Sequence, residues 1–295
     1  MTPNTNDGTQ AAPYLRCDLS LGTMVELPVF SQAADFARKS TEEQYAQLKQ
    51  SGFQGVQGGD VKLLRKLGMG ATGGGRINKG GEAAEFAKRW KDEGLDCATV
   101  HVGWGMEDEG ELLGLAEEIL RATEEFKFPI YIETHRATIT QDQWRTVQML
   151  KRFPGLRING DFSHWYTGLE MVYGNWEQKL WFIEPVFERV RFIHGRIGNS
   201  GCMQVDIGDG TNRPHVEHFK ELWTRSFMGF LRSAKPGDFI CFAPELLVPR
   251  INYARVFPND KGELIEEGDR WTQALLYMKI ARECFAEAQA RLAKK

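Results

Sequence analysis

Residues 129–140 read PIYIETHRATIT, and this stretch decides how the fold is interpreted. Ile130 and Ile132 predict a buried strand, yet Glu133 lies within the same strand. A carboxylate in the interior is costly unless an opposite charge or several hydrogen-bond donors compensate for its lost hydration. The interpretation of the chain therefore depends on whether other strands carry a similar polar group at the same end.

Short apolar runs alternate with helical patterns along the 295 residues. The predicted strands cover residues 15–20, 54–57, 69–73, 97–103, 129–135, 156–162, 191–197 and 238–246. The predicted helices cover residues 30–51, 60–67, 80–94, 109–125, 141–152, 174–189, 215–234 and 268–291. Eight alternating units of this kind predict an α/β protein, a single-domain (β/α)8 TIM barrel. We expect the barrel domain to cover residues 14–295 and residues 1–13 to form a disordered N-terminal tail.

Connections between the predicted elements differ in length at the two ends of the barrel. Those from helix to strand are as short as KFP, FPG and AKPG, whereas those from strand to helix are long, as in GNSGCMQVDIGDGTNRP. In a (β/α)8 barrel all strand-to-helix connections lie at one end, where active sites are built. We expect the quoted long loop, residues 198–214, to be a mobile lid that brings Gln204 toward the substrate. A dimer contact is the alternative role for this loop.

Side chains along a strand point alternately into the barrel and toward the helices. By this alternation, four successive strands each direct one metal-ligand side chain inward at the same end; these are Glu133, Asp161, His194 and Glu245. Three carboxylates and an imidazole would destabilise a closed interior unless a cation lay among them. The pattern predicts one divalent metal ion, with Mn2+ as the first choice and Mg2+, Co2+ or Zn2+ as alternatives. Ordinary ion pairing of each residue is the competing interpretation.

Composition argues against several other classes of protein. The formal net charge is -3 and the pI is about 6.1, so we expect no basic surface for nucleic acid. Every apolar run falls short of the roughly 18 residues that a membrane-spanning helix needs. The first residues lack the basic and apolar segments of a signal peptide. The five cysteines are far apart and form no C-x-x-C pair, which predicts reduced thiols in a cytoplasmic protein.

Four segments of the sequence are similar to a known family: IETHR, GDFSHW, FIHGRIG and APEL. They resemble segments of the xylose isomerase-like TIM barrels, the sugar phosphate isomerase/epimerase superfamily, and the resemblance covers about residues 15–290. It implies that Glu133, Asp161, His194 and Glu245 bind one divalent metal ion. It also implies that Glu133 and Glu245 act as the catalytic acid/base pair, as the metal-bound glutamates do in the epimerases of the family.

The endonuclease IV branch of the family differs from this chain at its additional metal ligands. That enzyme has a histidine on its second strand, where this chain has Gln57. It also has an Asp-x-His after its seventh strand, where this chain reads GRIGNSGCMQ. Because a basic face is missing as well, we do not expect a role in DNA repair.

Six further residues are candidates for substrate binding: His101, Trp104, His135, His164, Arg196 and Gln204. The family resemblance implies that His164, three residues after Asp161, faces the substrate. Arg196 can hold a hydroxyl, a carboxylate or a phosphate of the substrate, or pair with a carboxylate of the barrel. All six lie on predicted strand ends or on the loops that follow them.

The sequence predicts a metal-dependent isomerase or epimerase of a small sugar, keto-sugar or polyol. Glu133 or Glu245 would remove a proton next to the substrate carbonyl, and the other would return one, through a metal-held enediolate. A dehydratase or lyase of a keto-cyclitol or keto-sugar begins with the same proton removal and is the alternative. A sugar-binding barrel without turnover is the alternative from another class. We expect a homo-oligomer, a dimer or tetramer, without nucleic-acid or membrane partners.

Overall fold

Eight parallel strands pair in chain order and close into a barrel in the computed structural model, which describes residues 1–294. The strands are β1 (Tyr14–Ser20), β2 (Gly55–Gln57), β3 (Gly70–Ile77), β4 (Cys97–Val102), β5 (Ile130–Glu133), β6 (Ile158–Asn159), β7 (Val190–Gly195) and β8 (Asp238–Pro244). Strand β8 pairs with both β7 and β1, which closes the sheet. The predicted (β/α)8 barrel is therefore confirmed.

Helices connect the strands and cover the outside of the barrel. They are α1 (Thr41–Gln50), α2 (Val61–Lys66), α3 (Glu82–Glu93), α4 (Glu109–Phe126), α5 (Gln143–Arg152), α6 (Phe162–Gly168), α7 (Trp176–Phe182), α8 (Glu184–Phe187), α9 (Pro214–Leu231) and α10 (Arg270–Ala293). Helix α4 shows why they form where they do. Asp108 and Glu111 cap its first turn reciprocally, and Leu112, Leu115 and Ile119 form its buried face.

An apolar layer, with the buried Arg16–Asp18 ion pair beside it, lies beneath the polar carboxyl end of the barrel interior. A separate cluster of buried residues fills the lower interior: Cys97, Tyr131, Phe192, Phe239, Cys241 and Ala243. Ile130 and Ile132 of β5 take the opposite side and belong to the main core beneath the helices. The predicted alternation is confirmed for this strand, and the apolar layer underlies the polar end where Glu133 lies.

Three local features differ from the predicted elements. The predicted helix at residues 30–51 begins as α1 at Thr41, because Ser40 caps it in a capping box with Glu43. The short helix α6 begins at Phe162, the last residue of the predicted strand at 156–162, and continues through residues 163–168, which were predicted as loop. A two-stranded hairpin, Val256–Pro258 with Leu264–Glu266, lies in the long connection after β8. These changes leave the order of the barrel strands unaltered.

The first residues of the chain contact the base of the barrel. Thr5 and Asn6 pair antiparallel with Phe239 and Asp238 of β8, and the Thr5 hydroxyl lies 2.7 Å from the Tyr131 hydroxyl. The sequence predicts disorder for this segment. The division of the chain into a tail of residues 1–13 and a barrel domain of residues 14–295 stays a prediction.

Two predictions about the class of the protein concern its cysteines and its helices. All five cysteines occur as unpaired thiols. No helix within residues 1–294 combines the length and the apolar character that crossing a bilayer requires. The homo-oligomeric state and the cytoplasmic location stay predictions.

Candidate metal centre

Four side chains converge at the carboxyl end of the barrel. Glu133 ends β5, His194 lies in β7, Glu245 directly follows β8, and Asp161 caps α6 just beyond β6. Their ligand-type atoms, three carboxylate oxygens and one imidazole nitrogen, all lie within 4.8 Å of one another. Glu133, Asp161 and His194 are buried, whereas 19% of the Glu245 side chain is exposed. The cluster therefore reaches solvent through Glu245.

Both carboxylate oxygens of Glu133 face hydrogen-bond donors. Oε1 lies 3.3 Å from Nε2 of His101, and Oε2 accepts a 3.0 Å hydrogen bond from Nδ2 of Asn159. Oε2 also lies 3.1 Å from Nδ1 of His194. Burial alone would raise the pKa of Glu133, but His194 and His101 hold that pKa well below its usual range. The carboxylate is therefore ionised at neutral pH and can act as a ligand or as a base.

The partners of His194 determine which of its ring nitrogens faces the cluster. Nε2 lies 2.9 Å from Oε1 of Gln57, and the Gln57 amide is oriented because its nitrogen donates to the Thr99 hydroxyl at 3.0 Å. Nε2 of His194 therefore carries a proton, which leaves Nδ1 facing the carboxylates. Metal-binding histidines commonly donate through one nitrogen to a fixed acceptor and bind the ion through the other.

The contacts of Nδ1 of His194 fit a cation better than a proton. Burial opposes a charge on the ring, but Glu245 and Glu133 raise the pKa of His194 to about 9 and so favour a proton on Nδ1. The Asn159 amide nitrogen, a donor, lies 3.0 Å from the same atom. Its orientation is fixed because Oδ1 of Asn159 accepts the backbone N–H of His194. A divalent ion in place of the proton would neutralise the carboxylates and keep the imidazole neutral.

Replacing Gln57 by leucine is expected to weaken metal binding about tenfold to a hundredfold, because Nε2 of His194 would lose the acceptor that fixes its proton. Calorimetric titration with Mn2+ measures the effect. Gln54→Leu is the matched control, since that glutamine accepts from the Cys17 backbone before β2 begins. Equal Mn2+ affinity in Gln57→Leu and wild type would show that Gln57 does not orient a metal ligand.

Arg196 supplies positive charge inside the cluster. One terminal nitrogen of its guanidinium lies 3.0 Å from Oδ2 of Asp161, and the other contacts Oε2 of Glu245. The structure thus shows the ion pair that the sequence analysis considered for Arg196. Although Arg196 is close, Oδ2 of Asp161 accepts no aligned hydrogen bond from residues 1–294, so it keeps a lone pair for a cation. Three carboxylates and one guanidinium give a net charge of -2, which one divalent ion would balance.

His101, His135 and Glu133 form a second group of ligand-type atoms within 4.8 Å. A terminal guanidinium nitrogen of Arg76 lies 3.3 Å from Nδ1 of His101. Arginine can only donate, so Nδ1 accepts and Nε2 carries the proton that points toward Glu133. We therefore assign His101 as a donor that orients Glu133 and not as a metal ligand.

Three imidazole rings lie side by side next to Glu133. The ring of His135 is 4.0 Å from that of His101 and 3.9 Å from that of His164, between centroids. Burial and the neighbouring His164 lower the pKa of His135 to about 3, and burial and Arg196 hold the pKa of His164 well below its usual range. Nδ1 of His164 has no hydrogen-bond partner within residues 1–294. His135 and His164 are therefore neutral and offer polar edges at the barrel mouth.

The two remaining predicted substrate residues have different surroundings. Trp104 is 53% exposed at the mouth, and its ring lies 4.2 Å from the guanidinium carbon of Arg76. Gln204 is buried, and both of its polar groups bond to the backbone of Leu247, at 3.0 and 2.8 Å. Gln204 thus joins two mouth loops, and this leaves no polar group of its side chain unpaired for a substrate.

The loop at residues 198–214 is anchored more firmly than the sequence indicates. Val205 and Ile207 are buried, and the backbone N–H of Ile207 donates to the Gln273 side chain of α10. The backbone N–H of Asp206 donates to Glu267. Val205 and Ile207 thus give the loop apolar anchors, and its role as a lid or as a dimer contact stays a prediction.

Two residues of the site are not among the candidates predicted from the sequence. Asn159, which contacts Glu133 and His194, has the inward parity of its strand and was detectable by alternation. Tyr253 lies in the long connection after β8; its hydroxyl is 3.4 Å from Nε2 of His135, and its ring centroid is 4.5 Å from the guanidinium carbon of Arg196. Sequence alone offered no signal for Tyr253 beyond its place in a long mouth loop.

No protein-family model matches the sequence, and no curated protein is significantly similar to it. Solved structures are similar in fold. A protein from Sinorhizobium meliloti has a TM-score of 0.55 at 12% identity, over 91% of this chain and 98% of that chain. A xylose isomerase-like TIM barrel protein from Mycobacterium smegmatis, in complex with magnesium, has a TM-score of 0.54 at 10% identity, over 95% of this chain and 97% of that chain.

A third similar structure is that of a probable 3-DHS dehydratase involved in petrobactin synthesis from Bacillus anthracis. Its TM-score is 0.50 at 13% identity, over 80% of this chain and 94% of that chain. At such identities the likeness concerns the fold alone, and that fold is the (β/α)8 barrel of this chain.

Proposed function

We propose that this xylose isomerase-like barrel is a divalent-metal-dependent isomerase or epimerase of a small sugar, keto-sugar or polyol. The convergence of Glu133, Asp161, His194 and Glu245 at the carboxyl end of the barrel carries the proposal. The magnesium complex of the M. smegmatis barrel supports a divalent ion in this fold. Mn2+ remains our first choice, with Mg2+, Co2+ or Zn2+ as alternatives, because carboxylates and imidazole can bind each of them.

The two glutamates are the candidates for proton transfer. A divalent ion at this position would polarise a substrate carbonyl and acidify the hydrogen on the neighbouring carbon. Glu133 is ionised and is oriented by His101 and Asn159, so it is suited to remove that hydrogen as a proton. Glu245 has a ligand-type oxygen within 4.8 Å of that of Glu133 and is suited to return a proton. The two roles would exchange when the reaction runs in reverse.

Neutral polar groups around the glutamates suit a hydroxylated substrate. The rings of His135 and His164 present nitrogen atoms without bringing a charge, and Nδ1 of His164 lacks a partner within residues 1–294. The exposed ring of Trp104 adds an apolar surface at the mouth. Sugars and polyols combine hydroxyl groups with apolar C–H faces, so these side chains match their chemistry.

A dehydratase or lyase of a keto-cyclitol or keto-sugar is the second candidate. The similarity in fold to the probable 3-DHS dehydratase from B. anthracis supports this alternative. The reaction would begin with the same proton removal by a glutamate and would then need a group that protonates the departing hydroxyl. His101, whose Nε2 proton points toward Glu133, is the candidate for that group.

We predict metal-dependent incorporation of solvent deuterium next to a carbonyl in at least one member of a panel of keto-sugars and keto-cyclitols. The protein is incubated with each compound and Mn2+ in deuterated water, and the products are read by NMR. A chelator is the matched control and should stop the incorporation. A protein that binds Mn2+ and panel compounds but exchanges no hydrogen would support the sugar-binding barrel instead.

A further inference from the structure

The loop directly after β5 presents an arginine that has no carboxylate partner. The guanidinium carbon of Arg136 lies 5.3 Å from the ring centroid of Tyr253. Within residues 1–294 no carboxylate oxygen comes within 4.0 Å of its guanidinium nitrogens. Arg136 is exposed and lies three residues beyond Glu133, at the mouth of the barrel. Its charge is therefore available to a ligand at that mouth.

The turn that carries Arg136 is tightly held. Ala137 has a φ of 51°, a left-handed conformation that costs free energy for a residue with a Cβ atom. The Thr138 hydroxyl donates to the carbonyl of His135 at 2.7 Å, and the N–H of Ile139 donates to the carbonyl of Val102 at 2.9 Å. The surrounding hydrogen bonds thus maintain a strained turn, and strain of this kind is concentrated at ligand sites.

Tyr253 lies beneath two guanidinium groups. The guanidinium carbon of Arg196 is 4.5 Å from its ring centroid, so Arg136 and Arg196 share one aromatic ring. Arg196 is balanced by Asp161 and Glu245. Arg136 has no carboxylate partner of this kind, and repulsion from Arg196 raises the free energy of its charge further. An anion at the mouth would offset this repulsion.

Arg76 adds a second unbalanced charge on the other side of the imidazole rings. Its guanidinium contacts the carbonyl of Gly103 and Nδ1 of His101 and lies over the ring of Trp104. None of these partners is a carboxylate. The mouth therefore bears two guanidinium groups without ion pairs, although the formal net charge of the whole chain is -3.

We propose that Arg136 binds an anionic group of the substrate, a carboxylate or a phosphate, beside the metal cluster. The substrate is accordingly a sugar acid or a sugar phosphate and not a neutral sugar. This assignment rests on the proposed function, because it takes the bound molecule to be the substrate of that reaction. A guanidinium binds either group through two parallel hydrogen bonds, and its stacking on Tyr253 holds it in place for that contact.

The test compares three probes that share one carbon skeleton: fructose, fructuronate and fructose 6-phosphate. Binding is measured by calorimetry in the presence of Mn2+, and deuterium exchange is measured separately. We expect at least one anionic probe to bind about tenfold to a hundredfold more tightly than fructose, as a charge-assisted contact predicts. The anionic probe that binds more tightly, fructuronate or fructose 6-phosphate, shows whether the subsite prefers a carboxylate or a phosphate.

Arg136→Met is expected to remove most of that preference, and Arg136→Lys to restore part of it. Arg89→Met is the matched control, because Arg89 also lies over an aromatic ring, that of Phe86, on the outer helix α3. The melting temperature of each variant verifies its folding. A preference that survives in Arg136→Met, or three probes that bind equally or not at all, would overturn the anionic subsite.

The two proposals fail in different ways. Tighter binding of an anionic probe that depends on Arg136, without exchange in any probe, would support the subsite and contradict the isomerase or epimerase reaction for these probes. Metal-dependent exchange with an unchanged ratio of kcat/KM between anionic and neutral probes in Arg136→Met would support the reaction and overturn the subsite.

Discussion

Replacing Glu133 by glutamine is expected to reduce metal-dependent proton exchange by about 100- to 10,000-fold, the range typical of a lost general base. The substitution removes a charge and also introduces an amide N–H2 among donors. His101 and Asn159 both direct a donor at the carboxylate, so the glutamine amide cannot satisfy both of them. We therefore expect weaker Mn2+ binding as well. Deuterium exchange and calorimetric titration measure the two effects.

Glu117→Gln is the matched control for this substitution, because Glu117 is an exposed residue of α4. It should keep wild-type exchange and wild-type Mn2+ affinity. Circular dichroism and the melting temperature establish that Glu133→Gln has folded. If Glu133→Gln kept more than a tenth of the exchange rate, Glu133 would not be the catalytic base.

Divalent metal is expected to raise the thermal stability of the protein substantially. A ligand that binds only the folded state adds roughly 2.7 kcal/mol at 100 times its dissociation constant. With about 2.1 cal/mol/K of unfolding entropy for each of the 295 residues, that corresponds to an increase of roughly 4 °C in the melting temperature. The physical source is the neutralisation of three carboxylates in the cluster, of which Arg196 compensates one. Melting curves with Mn2+ and with a chelator measure the difference.

Glu245→Gln should reduce this stabilisation, because it removes one ligand charge from the cluster. Its control is Glu283→Gln, at an exposed position of α10. The control should respond to Mn2+ as the wild type does. A melting temperature that is the same with Mn2+ and with chelator would mean that no ion binds the folded chain at the concentration used.

The barrel and the convergence of the four side chains were predictable from the sequence because both depend on local patterns. Strand alternation assigns a side to every residue of a strand, and eight strands in one closed sheet bring their carboxyl ends together. Asp161 shows that the alternation can predict the position of a residue just beyond the end of a strand. Strand β6 ends at Asn159, and Asp161 caps the next helix, yet the alternation still placed it correctly beside the other three.

Contacts between distant loops were not predictable in the same way. The bond between Gln204 and the backbone of Leu247 joins two long loops, whose conformations no periodic pattern specifies. The position of Tyr253 over Arg196 depends on a connection of the same kind. Gln57 was recognised as a departure from one family branch, but its hydrogen bond to His194 appears only when β2 and β7 face each other across the barrel.

Titration of chelator-treated protein with Mn2+ tests the central claim most directly, because it counts the ions and locates them through one substitution. We predict one ion per chain in the wild type and strongly weakened binding in Asp161→Asn, since Asp161 is buried in the cluster and offers one of its four ligand-type atoms. Asp209→Asn, at an exposed position of the 198–214 loop, should bind as the wild type does. Absence of Mn2+ binding to the wild type, or equal binding to Asp161→Asn, would contradict the metal site.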